Sequence, residues 1–258
     1  MRRLAIRPGA IGDFILSLPA LECLRTDYLE IWAAPANVPL VRFAPARSIP
    51  ATGLDLLGVT EPPERLLEEL RSFDSIVSWY GANRPDFREL VERLGLPFTF
   101  FQALPKPGEE GHVADFYLGQ VASVAPCTRD RIPRIGCPAM RERFAVIHPF
   151  SGSARKNWPL DKFRALAYGL ERILPVYWCR GHDDPPLADA VHIDDLYDLA
   201  CWLARASLYA GNDSGITHLA AAVGTPVLAL FGPTDPEVWG PRGPNVRIAR
   251  WHAPGALQ

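Results

Sequence analysis

Short apolar runs alternate along the chain with segments whose apolar residues recur every three or four positions. The short runs are typical of buried strands, and the longer periodic segments are typical of amphipathic helices. In the first half, this pattern predicts strands over 4–7, 29–34, 75–80 and 98–102, and helices over 12–25, 64–71, 86–94 and 112–124. Regular alternation of strand and helix indicates an α/β fold with a mostly parallel sheet.

A stretch containing proline and cysteine, residues 125–140, interrupts the alternation and is interpreted as a linker. After it, the pattern predicts strands over 144–148, 176–179, 208–210 and 226–231, and helices over 160–173, 196–206 and 216–223. Two such series predict two Rossmann-like domains, residues 1–130 and 131–258. Ligands of parallel sheets bind where strands end and helices begin, so the chemistry is sought in those turns.

Composition narrows the class of protein. The chain has 258 residues, 48% of them hydrophobic, and a formal net charge of −2, which argues against nucleic acid as a partner. The sequence contains no apolar run of the roughly 18 residues that a membrane span requires. The five cysteines are scattered without a Cys-x-x-Cys pair, so the sequence supports neither a zinc ribbon nor a disulfide framework and favours reduced thiols in a cytoplasmic protein.

The first strand-to-helix turn is RPGAIGD, residues 7–13. It matches neither the Walker A pattern nor G-x-G-x-x-G. Its glycines allow the backbone to approach a ligand closely. Asp13 falls in the first turn of the following helix, where it either caps that helix or acts as a general base.

The second turn is HPFSGSARKNWP, residues 148–159. Ser151, Gly152 and Ser153 supply backbone N–H groups, and Lys156 supplies a positive charge, a combination that suits a phosphate. The alternative interpretation is an exposed polar loop.

The third turn lies in GNDSGITH, residues 211–218. Ser214 and Gly215 are placed at a helix N-terminus, which favours a pyrophosphate. Asp213 would repel a phosphate that it faced, so we expect it to cap the helix or to orient neighbouring loop donors. His218 either faces the same cleft or packs in the core. Together, the second and third turns predict a diphosphate clamp, with Asp13 offered by the other domain.

Three segments, PGAIGDFILSLPAL, HPFSGSARKNWP and GNDSGITHLAAAVGTPVLALFGPTDPEVWGP, resemble glycosyltransferase family 9, the ADP-heptose:lipopolysaccharide heptosyltransferases. The chain resembles a short member of that family. The resemblance implies a GT-B fold, with an N-terminal acceptor-side domain and a C-terminal nucleotide-sugar domain whose mostly parallel sheets face each other across a cleft. It implies an inverting, metal-independent enzyme that moves a heptose from ADP-heptose to a sugar hydroxyl of a lipopolysaccharide-core-type acceptor.

The resemblance also implies a role for each motif residue. Asp13 is the expected catalytic base, and Asp183 or Asp184 is expected to hold the donor ribose. Asp213 and His218 are expected at the donor sugar or in the cleft. The expected diphosphate-binding residues are Ser151, Gly152, Ser153, Lys156, Ser214 and Gly215. No Asp-x-Asp motif occurs in the sequence, and neither a metal nor a cofactor is expected.

The expected partners are a nucleotide-sugar donor and a glycan or glycolipid acceptor, with no nucleic acid. A lipid-linked acceptor would add peripheral membrane contact and a cytoplasmic location at the inner face of the inner membrane. Three alternatives stay open. One is the same fold acting on another nucleotide-sugar or acceptor, in surface glycan or protein glycosylation. The others are a nucleotide-sugar-binding protein with little transfer activity, and an epimerase or hydrolase on a similar fold.

Overall fold

The structure is a computed structural model that describes residues 1–60, 62–106, 108–127, 130–138 and 140–252. The chain divides into two units. The first contains Met1–Ala10, Ser17–Glu109 and Val113–Asp130, and the second contains Ile11–Leu16, Glu110–His112 and Arg131–Gln258. The sequence pattern placed the boundary at 130/131 and did not indicate that segments 11–16 and 110–112 group with the second unit.

The strands of the first unit are β1 (Arg2–Arg7), β2 (Tyr28–Ala33), β3 (Ala46–Ser48), β4 (Ser75–Ser78) and β5 (Phe98–Phe100). They form a parallel sheet in the order β3-β2-β1-β4-β5. β1 and β2 are buried along almost their whole length, which explains why they appear as continuous apolar runs. The order reverses between β1 and β4, the switch point where such sheets bind ligands.

Helices and short turns connect these strands. The helices that begin within the first 130 residues are α1 (Ile11–Cys23), α2 (Ile49–Thr52), α3 (Glu64–Arg71), α4 (Pro85–Arg93) and α5 (Val113–Val121), and short 3₁₀ helices cover Pro35–Leu40 and Leu54–Leu56. In α3, Leu66, Leu67 and Leu70 face the core, as the three-and-four spacing predicts. Trp32 and Phe87 are fully buried in the same apolar cluster.

The strands of the second unit are β6 (Ala145–His148), β7 (Val176–Trp178), β8 (Leu208–Asn212), β9 (Val227–Phe231) and β10 (Val246–Arg250). They form a parallel sheet in the order β10-β9-β8-β6-β7. The switch point lies between β6 and β8, where His148 pairs with Gly211. The carboxyl ends of these two strands are therefore level, and the turns that follow them lie side by side.

The helices of the second unit are α6 (Leu160–Glu171), α7 (Leu196–Arg205), α8 (Gly215–Ala222) and α9 (Pro236–Trp239), with a 3₁₀ helix at Ala154–Lys156. Phe163 of α6 is fully buried against Ile147 of β6 and the apolar residues around it. Among the described residues, no helix is both long and apolar enough to cross a membrane.

The expected α/β class with parallel sheets is confirmed. The predicted strands and helices are present, with ends that shift by up to three residues, as at α5. β3 and β10 were missed because β3, with the sequence Ala-Arg-Ser, has no apolar run, and β10 contains two arginines at an exposed edge. Residues 128, 129 and 139 of the expected linker lie outside the described residues.

Candidate functional site

Asn212 fastens the turn after β6 to the end of β8. Its amide is fully buried. The side-chain Nδ2 donates to the carbonyl of Pro149 at 2.7 Å, and Oδ1 accepts from the backbone N–H of Trp158 at 2.9 Å. One side chain therefore fixes both ends of the 149–158 turn at the switch point, and the turn keeps its position relative to α8.

Lys156 reaches from this turn to the turn after β8. Its Nζ lies 2.8 Å from Oδ2 of Asp213, at the distance of an ion pair but without the angles of a hydrogen bond. The Asp213 side chain is 6% exposed, whereas that of Lys156 is 35% exposed. The carboxylate thus holds the ammonium in place while leaving it accessible to an anion. Of the two roles expected for Asp213, this geometry fits the orientation of a loop donor.

Ser214, not Asp213, caps α8. Its Oγ accepts from the backbone N–H of Thr217 at 3.4 Å. Thr217 in turn donates its hydroxyl to the carbonyl of Asn212, at the end of β8. The cap leaves the N–H groups at the start of the helix directed out of the turn, where the helix dipole favours negative charge.

Gly215 and Gly12 allow two backbone segments of the second unit to approach closely. A Cβ on Gly215 would lie 2.7 Å from Cβ of Ile11, and a Cβ on Gly12 would lie 3.0 Å from Cδ2 of His218. A side chain at Gly215 would displace Ile11, and one at Gly12 would press against the His218 ring. The residue before Asp13 therefore lies against the His218 ring.

Asp13 is half-buried in the first turn of α1. The N-cap of that helix is Ala10, which makes no side-chain capping hydrogen bond. Asp13 therefore does not occupy the N-cap, and its charge complements the positive end of the helix. Its place in the turn, one residue from the His218 contact, brings a carboxylate to the α8 end of the second unit.

His218 is a buried, neutral imidazole. Burial lowers its pKa to about 4, and nearby His112 and Lys156 act in the same direction, while Asp213 opposes them. Within the described part of the chain, its Nδ1 has no hydrogen-bond partner. A buried polar atom without a partner is costly, and such atoms commonly mark a ligand or water position. The observation agrees with the expected place of His218 near a bound molecule.

The hydroxyl-rich turn is shaped by one of its own side chains. The Oγ of Ser151 lies 2.8 Å from the carbonyl oxygen of Ser153 and 2.7 Å from Oδ1 of Asn157, and its one proton is donated to one of these two acceptors. This hydroxyl is used within the turn, so the turn offers an anion chiefly its backbone N–H groups. Gly152 is exposed, and a Cβ there would have no heavy atom within 4 Å. Unlike Gly215, it is not required by a close approach.

Asp184 contacts the same region through His148. Its Oδ2 accepts from Nε2 of His148 at 2.8 Å and from the Gly181 N–H at 2.6 Å. Burial raises the pKa of Asp184, but these hydrogen bonds outweigh burial, and the net pKa lies below the usual value. The other ring nitrogen of His148 lies 3.4 Å from Oγ of Ser214. Asp183 beside it is exposed.

Sequence reasoning missed Asn212, His148 and Thr217. Asn212 and His148 stand inside the quoted turns, but their partners are 63 and 36 residues away, so no spacing reveals the contacts. The available signal was a polar residue at the carboxyl end of an otherwise apolar strand, a position that is buried and therefore needs partners.

Comparison with known proteins decides the family. The model of glycosyltransferase family 9 (heptosyltransferase) matches residues 112–256, which is more than half of the chain. This chain belongs to glycosyltransferase family 9. As a member of family 9 it is an enzyme of the glycosyltransferase class, as the motifs indicated.

Curated relatives extend the family 9 match beyond that segment. Lipopolysaccharide heptosyltransferase 3 of Escherichia coli is 30% identical over 91% of this chain and 84% of the relative. Lipopolysaccharide heptosyltransferase 3 of Escherichia coli strain K12 is 28% identical over 52% of this chain and 44% of the relative, less than half the length of that protein.

Solved structures share the fold. The E. coli heptosyltransferase WaaC with ADP gives a TM-score of 0.71 at 19% identity, covering 99% of this chain and 94% of the other. E. coli ADP-heptose lps heptosyltransferase II also gives 0.71, at 18% identity, with coverages of 96% and 90%. The fold of this family 9 chain is therefore GT-B.

Proposed function

We propose that this chain transfers a heptose from ADP-heptose to a sugar hydroxyl of a lipopolysaccharide-core-type acceptor, with inversion and without a metal. The observation that carries the proposal is the Lys156–Asp213 pair beside the N-terminus of α8, at the switch point of the second sheet. Two kinds of relative support the choice of substrates. The curated relatives are named lipopolysaccharide heptosyltransferases, and the WaaC structure is described with ADP.

The donor diphosphate is the anion that fits this arrangement. The ammonium of Lys156, the N–H groups of the Ser151–Ser153 turn and those at Ser214 and Gly215 supply positive charge and dipoles from two directions. Such groups stabilise the negative charge that develops on ADP as it leaves. Asp213 fixes the ammonium before the donor arrives, so little reorganisation accompanies the reaction.

Proton removal falls to Asp13. In the proposed step, the acceptor hydroxyl gives its proton to the Asp13 carboxylate while its oxygen bonds to the anomeric carbon. The bond between that carbon and the ADP oxygen breaks in the same displacement, and ADP leaves with the electron pair. Attack from the side opposite to ADP inverts the configuration. The Nδ1 of neutral His218 hydrogen-bonds a hydroxyl of the donor sugar.

The remaining donor contact is the ribose. Asp184 is engaged with His148 and the Gly181 N–H, whereas Asp183 is exposed. We therefore assign the ribose hydroxyls to Asp183 and a supporting role in the loop to Asp184. The acceptor is a glycan or glycolipid, and a lipid-linked acceptor places the enzyme in peripheral contact with the inner face of the inner membrane.

The deciding experiment is calorimetric binding of ADP, UDP, GDP and ADP-heptose to EDTA-treated protein. We expect ADP and ADP-heptose to bind, and Lys156→Ala to weaken both about 10- to 100-fold, the loss expected for one charge-assisted hydrogen bond. Lys162→Ala is the matched control, because it removes the same charge from an exposed position of the same unit.

Other outcomes would select other functions. Preferred binding of UDP or GDP would point to a different nucleotide-sugar, and binding of no nucleotide would refute the proposal. Release of free sugar without an acceptor would favour a hydrolase or epimerase. Tight donor binding with no turnover on any core-type acceptor would favour a binding protein.

A further inference from the structure

Three metal-ligating side chains meet in the second unit, outside the residues assigned to the donor. They are His182, on the loop that follows β7, and His192 and Asp194, which precede α7. One potential ligand atom from each lies within 4.8 Å of the others. The set provides two imidazole nitrogens and one carboxylate oxygen.

The separations fit a common metal ion. His192 Nε2 lies 2.8 Å and His182 Nδ1 lies 4.0 Å from the same oxygen, Asp194 Oδ1. Ligands bonded to one ion at about 2.0–2.2 Å in tetrahedral geometry lie about 3.3–3.6 Å from each other. The His182 and Asp194 side chains are 83% and 82% exposed, so small rotations bring the three atoms to those distances without disturbing the core.

The His192 ring is held as metal-ligating histidines usually are. Its Nδ1 lies 3.2 Å from the carbonyl oxygen of Arg180, which can only accept, so Nδ1 carries the proton of that hydrogen bond. Nε2 is then the nitrogen that faces the Asp194 carboxylate, and in that tautomer it is the nitrogen that can bind a metal. A backbone carbonyl bound to the other ring nitrogen is the usual support of a metal-ligating histidine.

The loop that carries His182 is closed at its base. Val191 donates its N–H to the carbonyl of Trp178 at 2.8 Å, and the Arg180 N–H donates to the carbonyl of Val191 at 3.1 Å. His182 follows Arg180 by two residues at the start of the loop, and His192 directly follows Val191 at its end. An ion shared by the two histidines would join both ends of the segment that contains Asp183 and Asp184.

We propose that His182, His192 and Asp194 bind one divalent transition metal of the zinc class, with water completing its coordination. Two imidazoles and a carboxylate favour zinc, cobalt or nickel over magnesium or calcium, which prefer oxygen ligands. The ion orders the 182–194 segment. It shares no ligand with the proposed diphosphate clamp, so the proposal is independent of metal-free transfer.

The test is titration of Co²⁺ and Zn²⁺ into tag-free protein from which EDTA has first stripped metal and then been removed. We expect one ion per chain, a visible Co²⁺ absorption band that Zn²⁺ abolishes, and a raised melting temperature. His192→Ala and His182→Ala should each weaken binding at least about 10-fold. His252→Ala, an exposed histidine of the same unit outside the cluster, should bind as the wild type does.

Asp194→Asn keeps the shape of the side chain and separates loss of a ligand from loss of folding. It should also weaken Co²⁺ binding while leaving the circular dichroism spectrum unchanged. Failure of the wild type to bind either ion at submillimolar concentration would overturn the proposal, and the His192–Asp194 contact would then be a simple ion pair. Equal binding by the wild type and all three variants would overturn it as well. ADP binding in EDTA reports separately on the donor site.

Discussion

Different kinds of side chain occupy the switch points of the two sheets. In the first unit, Arg7 at the end of β1 lies over the ring of Tyr117 at 4.4 Å and that of Trp79 at 5.8 Å. Trp79 follows β4, and its ring nitrogen donates to Gln120 at 2.9 Å. In the second unit, the same topological position carries the Asn212 bridges and the Lys156–Asp213 pair.

The difference shows that the strand order places a switch point in each sheet, but that the side chains there determine whether it can bind a ligand. The guanidinium of Arg7 is buried against aromatic rings of its own unit and contributes to packing there. A turn held by an amide, with an accessible ammonium and a helix N-terminus beside it, presents donors to a ligand instead. The four variants below test this division, in order of decreasing expected effect.

The largest effect is expected for Asp13→Asn, which keeps the size of the side chain but removes the base. Its kcat for heptose transfer should fall by about 10²- to 10⁴-fold, the contribution typical of a general base. ADP-heptose affinity should stay unchanged, because the donor contacts belong to other residues. Steady-state kinetics and calorimetry would separate the two quantities.

Asp161→Asn is the control, because Asp161 is an exposed acidic residue in the first turn of α6. It should leave kcat unchanged. An Asp13→Asn enzyme that retains full kcat would contradict the assigned role.

Trp79→Ala should mainly affect the stability of the first unit. Removing a ring that is 2% exposed and packs against Phe101 and Tyr117 should lower the free energy of unfolding by about 3–5 kcal/mol. ADP affinity of the folded protein should not change. Urea unfolding and calorimetry provide the two readouts, with the exposed Tyr168→Ala as control. A large loss of ADP affinity with little loss of stability would show that the switch point of the first unit contributes to ligand binding rather than to packing.

His218 should make stability fall in mild acid. Its folded pKa is about 4, whereas an unfolded histidine has a pKa near 6.5. Between these values the unfolded chain binds a proton that the folded chain does not, so stability decreases as pH falls from about 6.5 to about 4. The total decrease is about 3 kcal/mol.

Urea unfolding from pH 7 to pH 4 would measure this decrease. His218→Gln, which does not titrate, should show a shallower dependence, whereas His252→Gln should match the wild type. Identical pH dependences in the wild type and His218→Gln would show that folding does not shift the pKa of His218.

Asn212→Ala should give the smallest change in stability, but it should lower both the free energy of unfolding and the affinity for ADP. The Trp158 N–H and the Pro149 carbonyl would lose their partner, which lowers the free energy of unfolding by about 1–3 kcal/mol. ADP binding should weaken too, because the turn that carries Lys156 is no longer fixed. Asn245→Ala, which removes an exposed hydrogen bond to Gly224, is the matched control. A variant that loses stability but binds ADP normally would show that the turn holds its shape alone.

The spacing of apolar residues along the sequence predicted most of the strands and helices. The apolar runs at β1 and β8 and the helical spacing in α3 identified those elements, because burial repeats within a few residues. The same approach missed β10, whose place at the sheet edge leaves four of its five residues exposed. The sequence motifs also located the turns that contain Lys156, Ser214 and Asp13.

The contacts inside the site could not be obtained in this way. The Lys156–Asp213 pair and the bond between His148 and Asp184 join residues from different turns. Such pairings depend on strand order, and the sequence indicates which residues form strands but not which strands are neighbours. The partners of these polar residues can be assigned only when the strand order β8-β6-β7 is known.

The close approach of Gly12 to His218 also has a consequence for how the protein is made. Segment 11–16 is synthesised about 200 residues before its partners near 215–218. At about 5–20 residues per second, that interval is about 10–40 s. During this interval the start of α1 has been synthesised, but the residues it packs against have not. A chaperone that binds at that stage would therefore bind the segment that carries Asp13.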